Sequence, residues 1–236
     1  MKQSLVWDAP VRLLHWLLAP LVIVALAIGL FGGEHGRLFP VHMLLGLVAA
    51  AVVLCRLVWG VVGTRYARFA GWRASPVAAM SYLASILRGK PERHIGHNPA
   101  SLWAIVLMLG LVLVLATTGI LMGQGIEAAE EVHEVCAYLL LATIGVHLAG
   151  IAVHIVTHRE NIVRSLVDGK KLVEEEESIA SARPMAALGM LVLVAAWATV
   201  LVANFDAATR TTRVPIAGWT ITLGEAEGNG EGDDGD

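Results

Sequence analysis

Charge and cysteine are scarce in this chain, and both shortages limit what it can be. Charged residues make up 16 % of the 236 positions, and the two cysteines, Cys55 and Cys136, fall at different depths of separate apolar runs. The sequence Cys-x-x-Cys-His does not occur, which excludes covalent attachment of a c-type haem. The net charge of −3 comes partly from an acidic tail, so the composition gives no indication of a nucleic-acid partner.

Long apolar runs are abundant instead. Hydrophobic residues make up 56 % of the chain and its mean hydropathy is +0.68, values that exclude an ordinary soluble domain. The first run contains Ala25-Leu26-Ala27, which resembles a signal-peptide cleavage site, but the run is long enough to remain as an anchor and we interpret it as retained. The runs that are long enough to span a bilayer cover residues 13–31, 42–63, 100–123, 132–156 and 185–203.

The basic residues are distributed unequally between the two ends of these spans. If the N-terminus is cytoplasmic, the outside keeps only Arg37, Arg210 and Arg213. The inside then collects Lys2, Arg12, Arg56, Arg65, Arg68, Arg73, Arg88, Lys90, Arg93, Arg159, Arg164, Lys170, Lys171 and Arg183. The positive-inside rule therefore predicts a multi-pass membrane protein with a cytoplasmic N-terminus and a periplasmic C-terminus.

The fourth span carries a stripe of histidines. His133 and His147 are fourteen residues apart and His154 follows seven later. Fourteen residues return to within about 40° of the starting direction and rise about 21 Å, so the first two share one helix face near opposite surfaces of the bilayer. Imidazoles in a lipid-spanning helix are costly and usually functional, although a polar stripe facing another helix is the alternative.

Depth predicts which histidines meet. His15 lies about sixteen residues, or roughly 24 Å, from the outer end of the first span, level with His147. His42 and His133 both lie in the first turn of their spans at the outer side. The expected pairs are His15 with His147 and His42 with His133. His154 is the alternative to His147, but it would lie about 10 Å deeper than His15.

Two imidazoles that face each other across a bundle core are the arrangement that holds low-spin haem iron. Haem propionates are anionic and bind arginine, and Arg12 and Arg56 lie at the inner depth. Their alternative role is to extend toward the cytoplasm. His154 and His158, four residues apart and near Glu160, could instead hold a metal ion.

Several stretches resemble one known family. WDAPVRLLHW (7–16), His42 at the start of the second span, RHIGHNPAS (93–101) and VHEVCAYLLLATIGVH (132–147) are similar to the bacterial cytochrome b561 and nickel–iron hydrogenase b-type cytochrome family. The resemblance covers about residues 5–168 and implies an all-α integral membrane fold, a four-helix transmembrane bundle holding two b haems. It places the axial ligands on His15, His42, His133 and His147.

The expected organisation has four parts, of which the fifth helix and the tail beyond residue 184 lie outside the resemblance. Residues 1–168 form the diheme cytochrome b domain and 169–184 a solvated cytoplasmic linker. Residues 185–203 form a fifth transmembrane helix packed outside the bundle, and 204–236 an acidic, partly disordered periplasmic tail in which 210–223 can make a short strand or a partner contact. Residues 76–89 are expected to form a short amphipathic helix on the membrane surface.

The function expected from these observations is electron transfer across the membrane, between quinone and a periplasmic redox partner. That partner is a hydrogenase small subunit or a c-type cytochrome; quinone oxidoreductase activity and a homodimer are both left open. His97, Asn98 and His158 are the candidates for a quinone site, although a surface position is the default for His97. The alternative function is a His-lined metal or proton transporter without haem, which the two separate histidine levels and the lack of a repeat disfavour.

Overall fold

The computed structural model describes residues 2–32, 36–72, 75–89, 94–214 and 219–223. Within them, five helices are long and apolar enough to cross a membrane, and two shorter helices are α3 (Pro76–Leu87) and α6 (Ile162–Asp168). This confirms the all-α membrane fold with five spanning helices. The spanning helices are α1 (Ala9–Phe31), α2 (Phe39–Val62), α4 (Pro99–Met122), α5 (Ala128–His158) and α7 (Pro184–Ala203).

Two of these helices begin at residues that the sequence marks as caps. The Asp8 carboxylate accepts a hydrogen bond from the backbone N–H of Val11 at 2.9 Å, and the Asn98 side-chain oxygen accepts one from the N–H of Ser101 at 2.8 Å. Each satisfies a backbone donor that the first turn leaves without an intrahelical partner. A proline follows in each first turn, where its missing N–H costs nothing.

The bundle core lies between α1, α2, α4 and α5. Helix α1 packs along α2, α4 packs along α5, and α2 also contacts α4. Val22, Ala49, Val53, Val112 and Leu140 form the buried centre of these contacts. Helix α7 packs on the outside against α1 and α2, and the Trp197 indole donates to the Leu47 carbonyl at 3.3 Å.

A small sheet closes the end of the bundle where α1 begins. Strand β1 (Lys2–Leu5) pairs antiparallel with β2 (Lys170–Val173), and Lys2 lies opposite Val173. The interpretation of 169–184 as a solvated linker is therefore wrong at its start, since Lys171 and Val173 are only 3 % and 2 % exposed. The alternation of exposed and buried residues in β2 covers only four positions, and the charged residues around it make the segment look like a solvated linker in the sequence.

The opposite end carries a three-stranded sheet made by the residues that follow α7. Strands β3 (Phe205–Asp206), β4 (Thr211–Val214) and β5 (Trp219–Thr222) pair in that order, all antiparallel. Ile221 and Leu223 are buried against Met43, Leu47 and Leu201. Within the segment 210–223, residues 211–214 and 219–222 thus form strands that pack on the bundle. The stretch 224–236, expected to be disordered, lies outside the described residues.

Helix α3 has the amphipathic character that the sequence predicts. Ser75 caps its first turn, Tyr82 is buried, and Val77, Met80 and Leu83 project an exposed apolar stripe with a spacing of three residues. Apolar groups at this spacing lie on one helix face. The stripe is available to lie against lipid beside α4, the helix that α3 contacts.

Gly60 offers a test of the packing at the α1-start end. A Cβ atom there would lie 2.0 Å from the Phe69 ring, whereas one at Gly110 in α4 meets nothing within 4 Å. We expect Gly60→Ala to lower the free energy of unfolding by about 1–3 kcal/mol because the ring must move. Gly110→Ala should leave it unchanged or raise it slightly. Thermal unfolding in detergent measures both; equal melting temperatures for the two variants would contradict the packing described.

Candidate functional site

The structure brings His42 of α2 and His133 of α5 together at the α2-start end of the bundle. Their ring centroids are 6.1 Å apart and their planes are inclined by 65°. Metal–imidazole bonds are about 2 Å long, so a single metal ion between two imidazoles holds the ring centroids about 6 Å apart. The separation therefore suits a shared metal centre.

Hydrogen bonds assign the tautomers of this pair. Nδ1 of His42 lies 2.8 Å from the Ala25 carbonyl oxygen, which can only accept, so Nδ1 carries the proton. Nδ1 of His133 lies 2.9 Å from the Thr118 hydroxyl, whose own proton is donated to the Val114 carbonyl. The hydroxyl is then able to accept, so this bond is satisfied when His133 also carries its proton on Nδ1. In these tautomers both Nε2 atoms keep their lone pairs, as metal ligands require.

An apolar cleft opens beside these two rings. Its walls come from α1, α2, α4 and α5, and its lining is apolar apart from His42 and His133. Gly46, Gly119 and Ala137 in the lining have small side chains or none, and a Cβ at Gly46 would meet nothing within 4 Å. A large, flat, apolar cofactor ligated from both sides fits this donor set and lining.

The second pair, His15 of α1 and His147 of α5, lies toward the other end of the same bundle. The two imidazoles are close enough to interact electrostatically, and both are half-buried. Nδ1 of His15 is buried without a hydrogen-bond partner. His154 has other electrostatic neighbours, namely His158, Lys171 and Glu160. The pairing of His15 with His147 that depth favours stays a prediction.

The two arginines at the inner depth differ in their surroundings. Arg56 is 8 % exposed, donates to the Ala67 carbonyl at 3.3 Å and lies over the Phe69 and Trp72 rings at 5.1 and 5.6 Å. Its Nη1 is buried without a partner, so it does not extend to solvent. Arg12 instead donates to the Val167 carbonyl at 2.6 Å, at the end of α6.

His97 is not the surface residue that its loop position suggested. Its ring lies 4.8 Å from that of Trp7 and 5.5 Å from that of Trp72. Burial lowers the pKa of His97 to about 3, and the charge of nearby Arg56 lowers it in the same direction. His15 and His147 are also within electrostatic range. A neutral imidazole thus lies beside the inner pair.

The other candidates have local partners. The Asn98 side-chain oxygen caps α4, and the His158 ring packs on His154 at 4.6 Å. His154 also lies 3.5 Å from the Glu160 carboxylate. Among the described residues, no three or more histidine, cysteine or acidic side chains are grouped to hold a metal ion, so the metal site considered at His154 and His158 does not form there.

Sequence reasoning missed the residues that support the histidines. Thr118 orients His133 from α4, a helix without a histidine of its own, and the Ala25 carbonyl orients His42 from α1. Thr118 is one of two adjacent polar residues in an otherwise apolar run, and that interruption was the available signal. A backbone carbonyl gives no sequence signal at all.

Comparison with known proteins identifies the family. The family model for prokaryotic cytochrome b561 matches residues 6–169. A probable Ni/Fe-hydrogenase B-type cytochrome subunit of Cupriavidus necator is 26 % identical over 53 % of this chain and 61 % of its own length. The corresponding subunit of Rhizobium leguminosarum is 23 % identical over 75 % of this chain and 92 % of its own length. No solved structure matches the chain significantly.

A probable Ni/Fe-hydrogenase 1 B-type cytochrome subunit of Escherichia coli K12 is 31 % identical, over 46 % of this chain and 57 % of the relative. The chain thus spans about three-fifths of two of these relatives, and the part beyond residue 169 lies outside the family match. The matched part contains all four spans that carry or enclose the histidine pairs. The chain therefore belongs to the prokaryotic cytochrome b561 family and is a multi-pass membrane b-type cytochrome.

Proposed function

We propose that this protein is a diheme cytochrome of a bacterial inner membrane that moves electrons between quinone and a periplasmic redox partner. The observation that supports it most is the presence of two histidine pairs at two levels of one bundle. His133 and His147 belong to the same helix, and fourteen residues of helix correspond to about 21 Å. Two cofactors at these levels would divide the bilayer into short electron-transfer steps.

His42 and His133 would hold the outer haem, and His15 and His147 the inner one. Bound haem would supply the one-electron chemistry. The chain's own part is to orient each imidazole and exclude water with the apolar cleft. Arg56 is the better placed cation for an inner propionate, since it is 8 % exposed and lies within electrostatic range of His97. Arg12 is the second candidate, and its buried Nε lacks a hydrogen-bond partner.

Quinone chemistry would take place near the inner pair. Among His97, Asn98 and His158, the structure favours His97, whose neutral ring can donate or accept a hydrogen bond beside His15 and His147. The side-chain oxygen of Asn98 is already used as a helix cap. The site would lie at the cytoplasmic side in the orientation that the basic residues favour.

The relatives' names point to a hydrogenase as the periplasmic partner. The outer pair lies at the end of the bundle covered by the three-stranded sheet, since Met43, the neighbour of His42, packs against Ile221. Residues beyond 169 are not part of the family match. If the partner binds at this sheet, it can therefore differ from the partner of the relatives. A c-type cytochrome is the other candidate.

Haem content tests the proposal directly. Protein purified from cells with ample haem should carry two haem b per chain by the pyridine haemochrome assay, with b-type bands that appear on reduction. A colourless preparation would favour the histidine-lined transporter. One haem per chain would overturn the two-level arrangement.

Replacement of His147 tests the inner level. We expect His147→Ala to reduce the haem content from two to one per chain and to leave the outer haem spectrum intact. His154→Ala, one more heptad along the same helix, serves as the matched control and should retain both. The reverse pattern would transfer the ligand assignment to His154.

Replacement of Thr118 tests the outer level. Thr118→Val removes the acceptor for His133 Nδ1–H, and loss of such a partner typically lowers metal affinity about 10–100-fold. Thr117→Val is the control, because that hydroxyl is exposed and donates only to the Leu113 carbonyl of its own helix. Transfer of haem to excess apomyoglobin measures the difference. Equal haem loss from both variants would contradict the orienting role.

A further inference from the structure

Asp8 is a buried carboxylate that the proposed electron-transfer function does not use. It is 1 % exposed, and beyond the cap on Val11 its second oxygen accepts hydrogen bonds from the Trp59 indole at 2.9 Å and the Thr64 hydroxyl at 2.6 Å. An N-cap needs only the first of these bonds. The other two fix the carboxylate against the end of α2.

A buried cation lies next to it. Arg56 is three residues before Trp59 on α2, and Asp8 is its electrostatic neighbour. Arg56 donates to Ala67, which follows Thr64 in the same turn. Burying two charges is costly unless they compensate each other, so the pair is expected to be electrostatically coupled.

Aromatic rings connect this charge pair to the inner histidines. Arg56 lies over Trp72, Trp72 contacts His97, and Trp7, the neighbour of Asp8, contacts His97 from another side. His97 is itself within electrostatic range of His15 and His147. Few mobile water dipoles can screen charges in such surroundings, so the pair acts on the inner level far more strongly than surface charges do.

We propose that Asp8 is a positioning residue that holds Arg56 and offsets part of its charge, and that this balance sets the reduction potential of the inner haem. The proposal rests on the proposed function. Reduction adds an electron, which a nearby positive charge stabilises and a nearby negative charge opposes. Arg56 therefore raises the potential, and Asp8 moderates that rise.

Signed shifts test this balance in the full-length protein. We expect Asp8→Asn to increase the equilibrium constant for reduction of the inner haem several-fold and Arg56→Gln to decrease it, where a tenfold change corresponds to 59 mV for one electron. The double variant should fall between the two, and Arg56→Lys should stay near the wild type. Redox titration of the visible bands measures the potentials. The outer haem is the internal reference.

Two further variants separate charge from packing. Thr64→Val removes a hydrogen bond from Asp8 but no charge, so it should lower thermal stability and leave the inner potential in place. Asp168→Asn removes an exposed charge, paired with Arg164, and should move neither potential. If Asp8→Asn does not fold, the decrease expected for Arg56→Gln and its absence in Arg56→Lys still test whether the charge at this position sets the inner potential.

The outcomes distinguish the two proposals. Wild-type protein with fewer than two haems would overturn the proposed function. Two haems whose potentials do not respond to Asp8→Asn and Arg56→Gln would leave that function standing and overturn the role of Asp8. The same would follow if both variants shifted the inner potential in one direction, or if Thr64→Val reproduced the effect of Asp8→Asn.

Discussion

A nitrogen lone pair that faces hydrocarbon must find a partner, because no water is present to supply one. In this bundle the requirement applies to the four histidines on α1, α2 and α5. Ala25 and Thr118 satisfy one nitrogen of each outer imidazole and leave the other free to bind. The positions of the histidines along the helices therefore determine where a ligand can bind to the remaining lone pairs.

The two levels meet this requirement differently. In the outer pair the protein already orients both imidazoles. Both Nδ1 atoms are hydrogen-bonded, and the ring centroids are separated by a distance at which one metal ion can bind both rings. The inner level keeps partnerless polar atoms, His15 Nδ1 and Arg56 Nη1, and is surrounded by charges. Hydrogen bonds therefore fix the ligand orientation at the outer site, whereas nearby charges are the main feature of the inner site. Two otherwise similar cofactors would experience different environments across one membrane.

Hydropathy and helical periodicity were sufficient to predict the spans, because twenty apolar residues in a row leave few alternatives. Depth along the helices also predicts that His42 pairs with His133 and His15 with His147. The rest depended on contacts between segments distant in sequence. His97 packs against the Trp7 and Trp72 rings, and Lys171 is buried in the strand that pairs with the N-terminus; neither feature has a local signal. Asp8 does have a local signal, since its position predicts a helix cap, but that signal does not predict its contacts with α2.

The pairing of β1 with β2 joins the first residues of the chain to residues 170–173. During synthesis this ribbon cannot form until α1, α2, α4 and α5 have all been made. All four histidines are therefore present before the ribbon covers the end of the bundle at which α1 begins, the end nearer His15 and His147. The order of the chain thus keeps that end uncovered until every helix that carries one of the four histidines has been made.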